Sequence, residues 1–555
     1  MLPVHDTTGI PAALVGSTSF ADASRLLSVT SPDGTVTYRY DPTGQLIGAE
    51  YSGTQEDEQY WYDANGNRTG ATVGTSSTAY VIGVGNRLLS DGRYWYEYDA
   101  NGNRSERYVW TDADADGQVD AGEKSQITRY TWDGRNRLVR VAEYETEEGP
   151  AAKVVTYYYD VENRWIGQTI DRDGDGSVDH TRWFGYDGQQ MLVQFDREGV
   201  GRVTAQDQSH RYLWGPAVDQ ILADEQLFPL ATEEGTSASF PLPPGEGQGE
   251  GAAHGGGYDL RAPGRVLWPL ADHLGTVRDL AQYDAASGMT TVVEHRQYDS
   301  FGNLVSAIDP ATNQPAAVDF LFGFTGRPFD KTTGLQNNLN RWYDPAVGRW
   351  LSPDPLGFSA GDTNPYGYVG NSPLELTDPS GCLSRKAQRL LDRFNFFKRL
   401  GWSDGQIVAA IIQDALVFTG GNAWEAFALV LEIRNEANGA YDNDLWASVD
   451  HFFQSWTARD NMPTSKYLCG VGSGLLGSVA AGIANDGYSL LKLLGVHVAQ
   501  DNPNVPPSRL TAFQYQWGNK GAWAAFWYST SLGIGSPQWR DFLQWLDRWA
   551  NRSCY

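Results

Sequence analysis

The chain has 555 residues, a net charge of −26, 20 tryptophans, 29 tyrosines and 3 cysteines. That length accommodates about two to four domains with sizeable cores. The acidic balance excludes a nucleic-acid-binding surface spread over the whole protein, and the sparse, odd cysteine set (Cys382, Cys469, Cys554) excludes a disulfide framework. The charge is uneven: residues 1–381 hold 54 acidic and 27 basic side chains, the remainder 14 and 15, and 23 of the tyrosines precede residue 382. Two differently built regions are expected to meet there.

The opening, "MLPVHDTTGIPAALVGSTSF", lacks a basic stretch followed by a long apolar run, so no signal peptide is expected and residues 1–29 read as irregular. From 30 to 231 a unit aromatic-x-Tyr-Asp-x-x-Gly recurs. It appears as "YRYDPTGQL" from Tyr38, "YWYDANGNR" from Tyr60, "YEYDANGNR" from Tyr96, "YTWDGRNRL" from Tyr130, "YYYDVENRW" from Tyr157 and "WFGYDGQQM" from Trp183. Alternating aromatic and polar residues predict half-buried strands. Asp followed by Gly or Asn predicts a tight turn with positive φ. Hairpin after hairpin gives a long antiparallel sheet built by repetition.

Two acidic loops interrupt the repeats. "DADADGQVDAGE" places Asp112, Asp114, Asp116, Gln118, Asp120 and Glu123 at loop positions 1, 3, 5, 7, 9 and 12, with Gly117 at 6. Ca²⁺ takes about seven oxygens, and this spacing supplies them with a final bidentate Glu. The flanks read as strands rather than helices, and a solvated acidic hairpin tip is the other reading. "DRDGDGSVDHTR" repeats the start with Asp171, Asp173, Asp175 and Asp179 but ends in Arg182. Calcium in either loop would pin a hairpin.

Residues 232–264, rich in Gly, Pro and Glu, hold too few aliphatics to order themselves and read as a disordered surface insertion. The repeat returns as "HRQYDSFGNL" from His295, within 265–383. That region ends in two Asp-Pro-x-Gly motifs, Asp354–Gly357 and Asp378–Gly381. As turn chemistry they are complete: Pro fixes φ, Gly accepts φ > 0 and Asp bonds its own backbone. A second reading brings the two carboxylates together. Like charges held close share one proton between acid and base and activate a water toward a peptide carbonyl.

The repeats, with "WPLADHLGTVRDLAQYDAASGMTTVVEHRQYDSFGNL" (Trp268–Leu304) and "FLFGFTGRPFDKTTGLQNNLNRWYDPAVGRWLSPDPLGF" (Phe320–Phe358), resemble the Rhs/YD-repeat family over residues 30–383. The resemblance implies a hairpin-wound β-shell holding a C-terminal toxin. It also implies that the Asp-Pro-x-Gly pair is an intramolecular aspartyl protease cutting just after the second motif. Mapped here, Asp354 and Asp378 are the acid/base pair, Arg349 of "GRWLSPDP" pairs with one of them, and the cut follows Leu383. The family has Leu directly after the last Gly, whereas here Cys382 intervenes.

From 384 to 555 the apolar period becomes helical. "SRKAQRLLDRFNFFKRL" has Ser384 as its cap and Leu390, Leu391, Phe394 and Phe397 on one face, and "SPQWRDFLQWLDRW" opens on Ser536–Pro537. The stretch Leu468–Val496, broken by Asn485, Asp486 and Lys492, reads as a buried helical hairpin, and no transmembrane span is expected. Asp442, Asp444, Asp450 and His451 read as caps and surface groups before they read as a metal cluster. Cys469 reads as a buried thiol before it reads as a partner of His497.

The sequence thus predicts a β-rich YD-repeat shell followed by a mainly α C-terminal domain. The leading function is an Rhs-type polymorphic toxin with a self-releasing helical effector, structural calcium, a secretion apparatus and a cognate immunity protein. It would be secreted or at the cell surface, with no nucleic-acid contact from the acidic shell. The alternative is a non-enzymatic cell-surface or carbohydrate-binding repeat protein whose tail is a structural cap.

Overall fold

The structure, a computed structural model, describes residues 17–20, 25–228, 262–284, 287–357, 362–399 and 401–402, with isolated positions between 407 and 433. The chain divides into two compact units: Met1–Gly215 with Asp219–Cys382, and Pro216–Val218 with Leu383–Tyr555.

The first unit is antiparallel β throughout its paired strands. Seven consecutive strands, Ser17–Phe20 to Ser76–Ala79, form one sheet; those from Val81–Ile82 to Gln314–Pro315 form a closed 17-stranded barrel; and a four-stranded sheet follows between Phe329 and Trp350. Closure removes the free edges that a long sheet otherwise exposes. Two boundaries differ from the sequence reading. Ser17–Phe20 and the start of Leu26–Ser31 pair with each other inside the 1–29 segment, where Thr and Phe suit a ladder. Residues 262–264, expected within the insertion, begin a strand on which Ala262 and Pro263 pair with Phe228 and Leu227. The rest of 232–261 lies outside the described residues.

Both letters of the Tyr-Asp unit have a structural job. The Asp ties its own turn: Asp63 Oδ1 accepts the amides of Asn65 and Asn67, each at 2.9 Å, and Asp41, Asp99, Asp133 and Asp160 accept from the same relative positions. The turn needs a left-handed residue three positions on, which is Gly66 (φ 74°) in one hairpin and Asn136 (φ 57°) in another. The Tyr ties one hairpin to its predecessor. Tyr62 Oη donates to the Leu46 carbonyl at 2.8 Å and Tyr186 Oη to that of Trp165 at 2.8 Å. Where Trp replaces Tyr the indole N–H does the same work, Trp132 to Arg104 at 2.7 Å and Trp214 to Met191 at 2.6 Å. The ladder register slips at this residue in hairpin after hairpin, a bulge that strengthens the twist.

The buried face of the barrel strands packs on the segment that follows them. Tyr157, Trp165, Phe184 and Tyr212 form one core cluster with Phe320, Phe322, Trp342 and Leu351. A buried ion pair, Arg104 Nη1 to Asp344 Oδ2 at 2.6 Å, fixes the four-stranded sheet against the repeats.

In the second unit, helix α1 (Arg385–Arg399) forms where the apolar period places it. Ser384 Oγ accepts the Ala387 amide at 3.3 Å, and Leu390, Leu391, Phe394 and Phe397 are buried with Leu383, Ile407 and Ile411. The helices expected later in the tail, the Asp442–His451 group, and Cys469 and His497 lie outside the described residues. Among the described residues no helix is long and apolar enough to cross a membrane.

Candidate active site

The two Asp-Pro-x-Gly motifs are turns, and their aspartates also meet. Gly357 N–H donates to the Asp354 carbonyl at 2.9 Å and Gly381 N–H to that of Asp378 at 3.3 Å, with φ of 54° and 70° at the two glycines. Asp354 Oδ1 accepts the Leu356 amide at 2.8 Å, and Asp378 Oδ1 accepts the Cys382 amide at 3.1 Å. The other oxygen of each carboxylate lies on one nitrogen, Nη2 of Arg341, at 3.0 Å from Asp354 and 3.2 Å from Asp378. All three side chains are buried, at 3, 8 and 1 % exposure for Arg341, Asp354 and Asp378. A cation between two carboxylates offsets a repulsion that burial would magnify.

Arg341 is held from several sides. Its guanidinium lies 4.2 Å from the Trp350 ring centroid, Nη1 donates to the Pro365 carbonyl at 3.2 Å, and Nε donates to the Gly381 carbonyl. Neighbours on the same hairpin grip the second motif. Asn338 Nδ2 donates to the Asp378 carbonyl at 2.7 Å, and the Asn340 amide and Nδ2 both donate to the Ser380 carbonyl, at 3.0 and 3.1 Å.

Arg349, expected at one of the aspartates, is elsewhere. It donates to Asn67 Oδ1 at 3.2 Å and to the Asn86 carbonyl, and burial pulls its guanidinium down to about 10. Arg341 takes the place expected for it. Both arginines precede a Trp on a short strand, Arg341–Asp344 and Arg349–Trp350, so the sequence offers no local mark to separate them. The choice is made by where the two turns return to the sheet.

The acidic loops share one backbone scaffold. Asp112 Oδ2 accepts Gly117 N–H at 3.1 Å, and Asp171 Oδ2 accepts Gly176 N–H at 2.9 Å. Asp114 and Asp173 each accept the amide two residues on at 3.2 Å, and Asp116 and Asp175 do so at 2.7 Å. Oxygens of Asp112, Asp114 and Glu123, of Asp114, Asp116 and Asp120, and of Asp171, Asp173 and Asp179 lie within 4.8 Å of one another. Gln118 Nε2 donates to Asp116 Oδ2 at 2.9 Å. Glu123 is bound to Trp110 Nε1 at 2.9 Å and to the amides of Ala113 and Asp120, which hold its carboxyl below the usual range. In the second loop position 12, Arg182, is committed to Asp196 at 2.7 Å. The oxygen-only donor set of the first loop fits a hard cation.

A family profile described as Teneurin YD-shell matches residues 24–192 and 260–372, half of the chain. The chain belongs to the Rhs/YD-repeat family. Double-stranded DNA deaminase toxin A of Burkholderia cenocepacia is 27% identical over 356 residues, 63% of this chain and 21% of that protein. Toxin protein Tse5 of Pseudomonas aeruginosa is 28% identical over 374 residues, 63% of this chain and 25% of that protein. The chain thus spans about a fifth to a quarter of the length of these curated relatives. Among solved structures the TcdB2–TccC3 complex overlaps with a TM-score of 0.32 at 16% identity, covering 66% of this chain and 20% of that one. The family match includes the repeats and both acidic loops, and it stops at residue 372, before the second Asp-Pro-x-Gly motif.

Proposed function

We propose that this chain is the carrier and cargo portion of an Rhs-type polymorphic toxin. Its YD-repeat region carries a C-terminal effector, and the Asp354–Asp378 pair cuts the backbone between the two. The observation that supports this most is the single guanidinium of Arg341 on which the two carboxylates converge, with Asp378 four residues before Cys382, the last residue of the first compact unit. With one proton on the pair, one carboxylate takes a proton from water as its oxygen adds to the peptide carbonyl carbon. The other gives its proton to the departing nitrogen, and the C–N bond breaks to leave a carboxylate and a new amino terminus. The names of the relatives, a DNA deaminase toxin and a toxin protein, favour an effector as cargo. Export and a cognate immunity protein follow from that reading, and the acidic repeats are its non-catalytic container.

The test is a time course of the full chain by intact mass. The expected result is two fragments meeting between residues 381 and 384, absent in Asp354→Asn and Asp378→Asn; a wild type that stays whole contradicts it. We further propose that Asp112, Asp114, Asp116, Asp120 and Glu123 hold a structural Ca²⁺, with Gln118 at the carbonyl position, and that Asp171, Asp173, Asp175 and Asp179 form a weaker site. Calcium at about 100 times its dissociation constant then adds about 2.7 kcal/mol of stability. Glu123→Gln is expected to remove most of the melting-temperature rise that Ca²⁺ gives and Mg²⁺ does not.

A further inference from the structure

We infer that the bond this site cuts is Gly381–Cys382, so that the released tail begins with a cysteine carrying a free amine beside its thiol. The inference rests on the self-cleavage reading and adds the register of the cut. Both ends of that peptide group touch the site. The Gly381 carbonyl oxygen accepts Nε–H of Arg341, and the Cys382 N–H donates to Asp378 Oδ1 at 3.1 Å and to Ser380 Oγ at 3.2 Å. A carbonyl on a guanidinium is polarised toward attack, and the same cation faces the charge that develops on that oxygen. The stretch is pressed against the Asn338–Arg341 hairpin: a Cβ at Gly381 would lie 2.7 Å from the Asn338 carbonyl. Backbone held this closely offers a fixed target rather than a wandering one.

The Leu383–Ser384 bond, where the family resemblance places the cut, sits in different surroundings. Leu383 is 3 % exposed and packs with Leu390, Leu391 and Phe394 in the core of the tail's unit. Its carbonyl accepts Gln388 Nε2 at 2.8 Å, and the next residue, Ser384, caps helix α1 through both Oγ and its carbonyl. Cutting there would strip a core residue, Leu383, from the fragment and with it the carbonyl that Gln388 Nε2 holds. Cutting at Gly381–Cys382 leaves Leu383, and its bond to Gln388, with the tail. In the reaction, water oxygen bonds to the Gly381 carbonyl carbon and the C–N bond breaks. The Cys382 nitrogen takes a proton and Gly381 ends as a carboxylate, with one water consumed.

The experiment is made on the wild-type full chain, so the folding of a variant does not decide it. The released fragment is sequenced from its amino terminus and treated with 2-cyanobenzothiazole, which condenses with a terminal amine and thiol on one residue. The expected result is the sequence Cys-Leu-Ser-Arg and one label per fragment. A fragment that begins at Ser384 and takes no label overturns the inference while leaving self-cleavage standing. A chain that stays whole overturns both.

Discussion

The aspartates of the repeats and those of the Asp-Pro-x-Gly motifs begin from the same local chemistry and end in different roles. In the repeats both oxygens are used within one turn. Asp63 Oδ1 accepts two amides while Oδ2 takes Asn67 Nδ2 at 2.9 Å; Asp160 Oδ2 takes Arg164 Nε at 2.6 Å. In each case the second oxygen is claimed by the side chain four residues on, as it is by Gln45, Asn103 and Arg137. Four residues after Asp354 stands Phe358, and four after Asp378 stands Cys382. Neither offers a strong side-chain donor. The second oxygen of each is left for a tertiary partner, and Arg341 takes both. The difference between a turn and a candidate reaction centre therefore turns on the residue that closes the turn.

Breaking the shared partner has the largest expected effect. Arg341→Met leaves two buried carboxylates without their cation, at a cost of about 3–5 kcal/mol in urea unfolding. Adding Asp354→Asn and Asp378→Asn to that variant is expected to recover part of the loss, because the uncompensated charge goes with them. An equal loss in all backgrounds would mean that Arg341 contributes through packing on Trp350 alone.

A second group of carboxylates with partners outside their own turn sharpens the comparison by pH. Burial lowers the His210 imidazole, but Asp224 at 2.9 Å and then Asp319 more than reverse this, raising it to about 9. Asp279 at 2.6 Å and Asp33 at 2.9 Å raise His295 to about 9. Both folded-state values lie above the ordinary 6.5. Their stabilisation is therefore fully present below pH 6.5 and lost as pH rises through 9, about 2–3 kcal/mol for the more buried His210. Unfolding free energy measured from pH 6 to 10 is expected to fall, and His210→Asn to flatten the slope. The turn carboxylate of Asp133, held low although burial opposes it, titrates far below this window and adds no slope there.

The smallest effect belongs to the tie between hairpins. Tyr186→Phe removes one hydroxyl from the Trp165 carbonyl and is expected to cost about 1 kcal/mol. A loss several times larger would show that this bond, rather than the core beneath it, holds successive hairpins together.

The repeats were legible because Tyr and Asp act within a few residues of themselves, and periodicity reads such contacts. The same holds for the Ser384 cap and for the acidic-loop spacing. Barrel closure was not legible, because ladder pairing between strands far apart in sequence leaves no local mark. Nor was Arg341: it and Arg349 stand in near-identical Arg-Trp contexts, and tertiary placement of the turns separates them. The residue four after each Asp is visible in the sequence. Its meaning follows from the side-chain geometry of the repeats.

The most direct test of the account compares four full-length chains by intact mass under one set of conditions: wild type, Asp354→Asn, Asp378→Asn and Asp133→Asn. The account predicts that wild type and Asp133→Asn divide at the junction while the two Asp-Pro-x-Gly variants stay whole. Four chains that behave alike would contradict it.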